Sequence, residues 1–115
     1  MAILSSHFLN GADGTHAGEV SVSVWLLSDS QERHLVFESK SKVDGRFEEE
    51  IPVDTDANYE MIVDTGAYFR ERAQEHSSLQ ICEKIVIRFR MPDPTRRYHI
   101  PIIISPNSYS CWWSS

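Results

Sequence analysis

The sequence predicts an all-β fold, an antiparallel β-sandwich of seven or eight short strands with one short helix. Segments of strand length, in which apolar and polar residues alternate, recur at regular spacing along the chain. Clusters of turn-forming residues separate these segments, and only one stretch has the composition of a helix. No internal repeat is visible. We therefore expect residues 1–115 to form one domain built of two packed sheets.

The first third of the chain contains its most regular alternation. Residues 3–10 form a short apolar-polar stretch that includes His7, and residues 11–18 form a loop rich in Gly, Asp and Thr. Residues 19–28 predict a strand with one apolar face. That face carries Val20, Val22, Val24 and Leu26. Residues 33–39 predict a second strand, antiparallel to the first because the connection between them is short.

The middle of the chain contains weaker signals. Asp44-Gly45 is a turn signal. Strands are predicted over residues 47–53 and 59–64, and Thr65-Gly66 ends the second of them. Residues 67–75 are rich in helix-forming residues and predict a helix of two to three turns.

The last third predicts three more strands, over residues 83–91, 97–105 and 109–115. In the second of these, alternate residues form a predicted core face. They are Tyr98, Ile100, Ile102 and Ile104. The other face carries His99 with Pro101 and Ile103, which is unusual for a surface exposed to water. Pro101 cannot donate to a sheet ladder and therefore suits an edge or a bulge.

Two features of this end of the chain suggest a covered surface. An imidazole beside apolar residues is either a packed or surface histidine or an active-site group, because histidine titrates near neutral pH. Trp112 and Trp113 are two large aromatic residues in succession near the C-terminus. We expect them to be buried, either in the core or against another subunit.

Composition excludes several classes of function. The net charge of -6 argues against nucleic-acid binding, which requires a basic patch. Cys82 and Cys111 are too few for a disulfide framework or a zinc site. The sequence shows no membrane-spanning run and no basic-then-apolar leader. A cytoplasmic location is therefore expected, with a peroxisomal one open although no clear signal is present.

The residues alone do not identify a reaction. The sequence contains no metal-binding histidine motif, no glycine-rich phosphate loop and no nucleophile elbow, so we expect no metal site. We expect His16, His34 and His76 to be solvated. The carboxylates of residues 48–50 fit a solvated strand edge or loop.

Several motifs, in matching order, resemble the 5-hydroxyisourate hydrolases, the enzymatic branch of the transthyretin family. Residues 4–10, Leu-Ser-Ser-His-Phe-Leu-Asn, resemble the family's opening motif. Asp44-Gly45-Arg46 and residues 59–70 match its central segments. Residues 93–101, Asp-Pro-Thr-Arg-Arg-Tyr-His-Ile-Pro, resemble its C-terminal signature. The similarity covers nearly the whole chain. At its end the family usually has Tyr-Arg-Gly-Ser, where residues 112–115 here are Trp-Trp-Ser-Ser.

The resemblance implies a transthyretin-like sandwich assembled as a homotetramer, with active sites at the dimer-dimer interface. It implies hydrolysis of 5-hydroxyisourate to 2-oxo-4-hydroxy-4-carboxy-5-ureidoimidazoline, a step of urate degradation, without a cofactor. The family's catalytic residues correspond to His7, Arg46 and His99. Trp112 and Ser115 stand where the resemblance implies the floor of the substrate pocket. Which imidazole activates water stays open.

Two other functions fit the same resemblance. One is a transthyretin-like protein that binds a small ligand without catalysis. The other is a former enzyme that now acts as an interaction partner, with the two tryptophans closing the channel. The presence of all three catalytic candidates favours the enzyme. An assay with freshly prepared 5-hydroxyisourate discriminates among these functions.

Overall fold

A computed structural model describes residues 1–30, 32–72 and 79–115 of the chain. In these residues it contains nine strands and one helix. The strands are β1 (Ala2–Asn10), β2 (Ser21–Leu27), β3 (Arg33–Lys40), β4 (Arg46–Ile51), β5 (Asn58–Val63), β6 (Ile85–Phe89), β7 (Arg97–His99), β8 (Ile102–Ser105) and β9 (Ser108–Cys111). The helix α1 (Thr65–Glu71) follows β5.

The strands form two sheets that pack face to face, as the alternation predicted. One sheet has the order β3-β2-β5-β6, and the other has the order β4-β1-β8-β9, with β7 also paired to β1. Apolar side chains from both sheets fill the space between them. The largest fully buried ones include Leu4, Phe8, Tyr59, Met61 and Ile102. Each such side chain contributes roughly 1.5–3 kcal/mol by leaving water.

The predicted core faces are confirmed except at Leu26, which is only partly buried. Val20, Val22 and Val24 are at most 3% exposed. Tyr98, Ile100, Ile102 and Ile104 are likewise buried. The predicted pairing of the second and third strands is antiparallel, as expected from their short connection.

The predicted antiparallel arrangement fails at one strand. β1 pairs antiparallel with β4, but it pairs parallel with β7 and with β8. The stretch at residues 3–10 is thus a central strand of its sheet. A parallel pair requires a long crossover connection, and here the chain between β1 and β7 supplies it by building the other sheet.

The count of nine strands, against the predicted seven or eight, has a local cause. The segment predicted as one strand over residues 97–105 is divided at Ile100-Pro101 into β7 and β8. Pro101 has no N–H with which to continue the ladder. Both halves nevertheless keep one register on β1, since Ser5 pairs with His99 and Phe8 pairs with Ile102.

The helix begins earlier than predicted. Thr65 and Gly66, expected to separate strand from helix, are its first two residues, because the carboxylate of Asp64 caps it by accepting from the N–H of Ala67. A Cβ on Gly66 would lie 3.0 Å from the carbonyl oxygen of Glu83, to which the N–H of Gly66 donates, so glycine suits this close approach of the two backbones. Residues 73–75 of the predicted helix lie outside the described residues. Within the described chain, no helix is long and apolar enough to cross a membrane.

The last residues do not enter the core. Trp112 and Trp113 are 49% and 54% exposed in the single chain, so the first of the two predicted alternatives, burial in the core, is wrong. After β9 the backbone turns back along β7. The N–H of Ser114 donates to the carbonyl of His99 at 2.8 Å, and the N–H of His99 donates to the carbonyl of Ser114 at 3.1 Å.

Candidate active site

The three predicted catalytic residues meet on the outer face of the sheet that contains β1. His7 on β1 lies directly opposite Arg46 on β4. His99 on β7 lies opposite Ser5, on the other side of β1. Side chains directly opposite in neighbouring strands are about 5 Å apart at Cβ, and those two residues along a strand share a face. The register therefore brings together residues from the start, middle and end of the chain.

A cleft of about 260 Å³ opens at this point of the sheet. It is lined by Ser5, Ser6, Arg46, Phe47, Glu48, Arg97, His99 and Ser115. Arg46, His99 and Ser115 were predicted here. Trp112 is not among the lining residues in the described part of the chain, and its place in a substrate pocket stays a prediction. His7 is not among these lining residues but lies directly opposite Arg46, which is one of them.

Two constraints hold His99. Its Nδ1 is hydrogen-bonded to the hydroxyl of Ser5 at 2.8 Å. Its backbone exchanges two hydrogen bonds with Ser114, so the end of the chain fixes the strand that carries the imidazole. Ser5 is 6% exposed and is itself fixed within β1. The ring is thus oriented through Nδ1, which leaves Nε2 for a ligand in the cleft.

Burial and two guanidinium groups keep His99 neutral. Burial lowers its pKa below the ordinary histidine value of 6.5, and the positive charges of Arg46 and Arg97 lower this pKa further. A neutral imidazole has a lone pair and can accept a proton at neutral pH. The same positive charges attract an anionic or electron-rich ligand.

The turn between β3 and β4 holds His7. Gly45 adopts a φ of 84°, and a Cβ there would lie against the carbonyl of Phe8 and 3.2 Å from Cδ2 of His7. The absence of a side chain lets the turn approach β1, where the carbonyl of Asp44 accepts a hydrogen bond from Nε2 of His7 at 3.0 Å. The Asp-Gly pair predicted as a turn therefore also orients an imidazole.

The pKa of His7 is also lowered from 6.5. Burial is the largest cause, and the positive charge of Arg46 and the neighbouring His16 act in the same direction. The carbonyl and carboxylate of Asp44 oppose the shift without reversing it. Both predicted catalytic histidines are therefore poised as neutral bases beside one guanidinium.

Arg46 is exposed and is only loosely paired, with its Nε 3.9 Å from the carboxylate of Asp44. Its donors remain available to a ligand. By contrast, Arg97 forms a close ion pair with Glu48 at 2.5 Å across the edge of the cleft. At the surface such a pair adds little stability. Here it occupies donors of Arg97, which stays charged, and leaves Arg46 as the guanidinium with donors available to a ligand in the cleft.

Sequence reasoning missed several residues of this site, among them Ser5, Arg97 and His16. Ser5 and Arg97 flank predicted residues, and only the strand register shows that they face His99. His16 was expected to be solvated, and although exposed it lies against His7. His34 is exposed on β3, far from the cleft. His76 lies outside the described residues. No group of three potential metal ligands occurs in the residues that the structure describes.

Comparison with known proteins places this chain in one family. The model of the HIUase/Transthyretin family matches residues 4–113, so the chain belongs to that family. It is 29% identical to 5-hydroxyisourate hydrolase 2 of Rhizobium meliloti over 116 residues, which cover 97% of this chain and 95% of the relative. It is 25% identical to the 5-hydroxyisourate hydrolase of Pseudomonas aeruginosa over 118 residues, covering 100% and 93% of the two chains.

A solved structure agrees with these relatives. The chain superposes on the 5-hydroxyisourate hydrolase of Klebsiella pneumoniae with a TM-score of 0.79 and 26% identity. The alignment covers 100% of both chains. The family thus accounts for the transthyretin-like sandwich that the sequence predicted.

Proposed function

We propose that this protein hydrolyses 5-hydroxyisourate, opening the ring at a cyclic amide bond to give a carboxylate. The observation that carries the proposal is that Arg46 and His99 line one cleft, while His7 lies directly opposite Arg46 in the neighbouring strand. The full-length similarity to 5-hydroxyisourate hydrolases of two bacteria supports the choice of substrate.

The three side chains match the requirements of amide hydrolysis. Water needs a base, the carbonyl oxygen needs a donor as negative charge develops on it, and the leaving nitrogen needs a proton. One neutral imidazole takes a proton from water as its oxygen bonds to the carbonyl carbon. Arg46 donates to the developing oxyanion. The C–N bond then breaks, and the nitrogen takes a proton from an imidazolium, so the imidazole that accepted it is neutral again.

The hydroxyl of Ser5 gives His99 a defined role in this scheme. When Nδ1–H donates to Ser5, the lone pair of His99 lies on Nε2 and points away from β1. The pKa directions of both histidines support a base at neutral pH. Neither step requires a cofactor, because water supplies the oxygen and side chains move the protons.

We also propose that the chain works as a homotetramer in the cytoplasm, with sites between dimers. The half-exposed Trp112 and Trp113 and the outward face that carries Ile103 offer apolar surface for such contacts. Cys82 and Cys111 are both free and exposed, which suits a reducing compartment. A second subunit over the cleft would exclude water and strengthen the electrostatic effect of Arg46.

The decay of freshly prepared 5-hydroxyisourate, followed by ultraviolet absorbance with and without protein, tests the proposal. We expect the protein to accelerate it, and we expect His99→Ala and Arg46→Ala each to lower kcat/KM about 100-fold or more. His34→Ala and Arg90→Ala are the matched controls, because His34 is exposed on β3 of the other sheet and Arg90 is exposed just after the end of β6.

Two results would contradict the proposal. Wild-type protein that leaves the spontaneous decay unchanged would leave only a binding function for this fold. Near-normal rates in both site variants, with activity present in the wild type, would show that the reaction occurs elsewhere on the molecule.

A further inference from the structure

His16 makes a close contact with His7 that the scheme above does not use. The two imidazole rings stack with their centroids 5.0 Å apart and their planes 26° apart. Nε2 of His7 lies 2.9 Å from Nδ1 of His16. This is the distance of a hydrogen bond between the two rings.

The loop over residues 11–18, which carries His16, folds back and pairs with the end of β1. The N–H of Asn10 donates to the carbonyl of Thr15 at 2.8 Å, and the N–H of Ala17 donates to the carbonyl of Phe8 at 2.9 Å. These two bonds flank His16 and set it opposite Leu9 as in an antiparallel pair. The position of His16 therefore follows from backbone pairing as well as from the side-chain contact.

Polar side chains stabilise the bend that makes this return possible. Oδ1 of Asn10 accepts from the N–H of Ala12 at 2.8 Å, and Oδ1 of Asp13 accepts from both the N–H and the hydroxyl of Thr15. Gly14 completes the bend with a φ of 80°. The loop that the sequence predicted from Gly, Asp and Thr thus holds an imidazole against β1.

The hydrogen-bond partners determine where the protons lie. The carbonyl of Asp44 can only accept, so Nε2 of His7 carries its hydrogen. The same N–H points between Asp44 and Nδ1 of His16, which accepts it as a second partner. In neutral His7 the lone pair then lies on Nδ1, the nitrogen that makes neither contact.

We propose that His16 is a positioning residue that accepts a proton from His7 during the hydrolysis. When Nδ1 of His7 gains a proton, the hydrogen on its Nε2 passes to Nδ1 of His16, and the positive charge moves to the outer ring. When His7 gives up its Nδ1 proton, His16 returns the hydrogen to Nε2. Every proton is accounted for, and both rings regain their starting tautomers.

The charges around the pair favour this transfer. Arg46 faces His7 from β4. The Asp44 carboxylate in the adjacent turn acts in the opposite direction but does not reverse the lowering of the pKa of His7. A positive charge on His7 is repelled by Arg46, whereas His16 is exposed to water, which solvates an imidazolium well. The inference rests on the proposed function and adds a residue to it.

Two variants and a control test the inference. His16→Gln keeps a hydrogen-bonding side chain that cannot hold the extra proton, and His16→Ala leaves space for imidazole from the buffer. We expect both to lower kcat about tenfold, with KM within about twofold of the wild type. We expect added imidazole to restore kcat several-fold in His16→Ala. His34→Ala should show neither effect.

A second measurement does not depend on turnover. In a nitrogen-15 NMR titration, His16→Gln should raise the pKa of His7, because the neighbouring imidazolium that lowers it has been removed. If His16 had only a structural role, added imidazole would not restore kcat in His16→Ala, and the pKa of His7 in His16→Gln would not rise.

The outcomes separate the two proposals. An active wild type whose His16 variants keep full kcat, without any effect of imidazole, overturns the role of His16 and leaves the hydrolase intact. A wild-type protein without hydrolase activity overturns both the proposed function and the proton transfer from His7 to His16. An unshifted pKa of His7 in His16→Gln would show that the rings are not coupled in solution.

Discussion

At the scale of single residues, this site depends on keeping two imidazoles neutral beside one guanidinium. Burial contributes most to both lowered pKa values, and Arg46 is the cation that acts on both rings. Removing either imidazole would delete a proton acceptor. Removing Arg46 would delete the proposed oxyanion donor and also let both pKa values rise, so its loss has two separable effects.

The pH dependence of activity follows from these directions. As the pH falls through the lowered pKa values, His7 and His99 take up protons and can no longer act as bases. We expect kcat/KM, corrected for spontaneous decay, to stay constant at neutral pH and to fall on an acid limb whose midpoint lies below 6.5. A midpoint above that value would contradict the proposed protonation states.

Stability should change in the same direction. Between the lowered pKa values and 6.5, the unfolded chain binds more protons at these two histidines than the folded chain does. The free energy of unfolding contributed by these groups is therefore fully present above 6.5 and decreases as the pH falls through the folded pKa values.

At the scale of elements, the turn between β3 and β4 connects backbone geometry with chemistry. Gly45 donates to the carbonyl of Lys42, accepts from the N–H of Phe8, and lets the carbonyl of Asp44 reach His7. The turn is thus fixed by one hydrogen bond within itself and by another from β1. Any side chain at Gly45 would push it away from β1 and remove the acceptor that fixes the tautomer of His7.

A pair of glycine variants tests the role of this turn. Gly45→Ala combines a left-handed backbone with a clash against Phe8, and we expect it to cost about 3 kcal/mol and to lower kcat. Gly14→Ala is the matched control, since its φ is similar and nothing lies within 4 Å of the added Cβ. It should cost about 1 kcal/mol. Urea denaturation measures both, and equal losses would count against the close packing of the turn.

The elements also show how far the sequence could predict the fold. The core faces of β2 and β8 were predictable because alternation is local. The parallel pairing of β1 was not, because nothing within residues 3–10 specifies which strands lie beside them. The division at Pro101 was only partly predictable, since the missing N–H indicates an irregular ladder without stating where the strand resumes.

The candidate site was harder to predict from the sequence than the core was. Periodicity alone left His99 as either a packed histidine or an active-site group, and only the family resemblance joined it to His7 and Arg46. His16 stands in a loop whose composition indicates a turn. Its return to β1 depends on two backbone hydrogen bonds between residues of low sequence separation, which propensities do not report.

At the scale of the whole molecule, the outer face of the sheet that contains β1 carries apolar side chains beside the cleft. Ile103 lies on the same side of the sheet as His99 and Leu9 and is partly buried. Trp112 and Trp113 are about half exposed. They precede Ser115, a residue that lines the cleft, by only three and two positions. This distribution favours the proposed contact with further copies of the chain.

A charge on that face should disrupt the assembly. Ile103→Asp places a carboxylate where the proposed interface excludes water, which costs several kcal/mol if the carboxylate is unpaired. We expect it to shift the protein from tetramer to smaller species in sedimentation velocity. Leu35→Asp, at an exposed position of β3 on the other sheet, is the control. A monodisperse tetramer of the Ile103 variant would refute this interface.

The parallel pairing of β1 has a consequence for synthesis on the ribosome. The four strands of the sheet β3-β2-β5-β6 lie between residues 21 and 89 and can pair as soon as they emerge. β1 is translated before them, yet two of its partners, β7 and β8, are translated after them. Until β7 and β8 emerge, Leu4 and Phe8 lack these partners, and the nascent chain exposes apolar surface that is prone to aggregation.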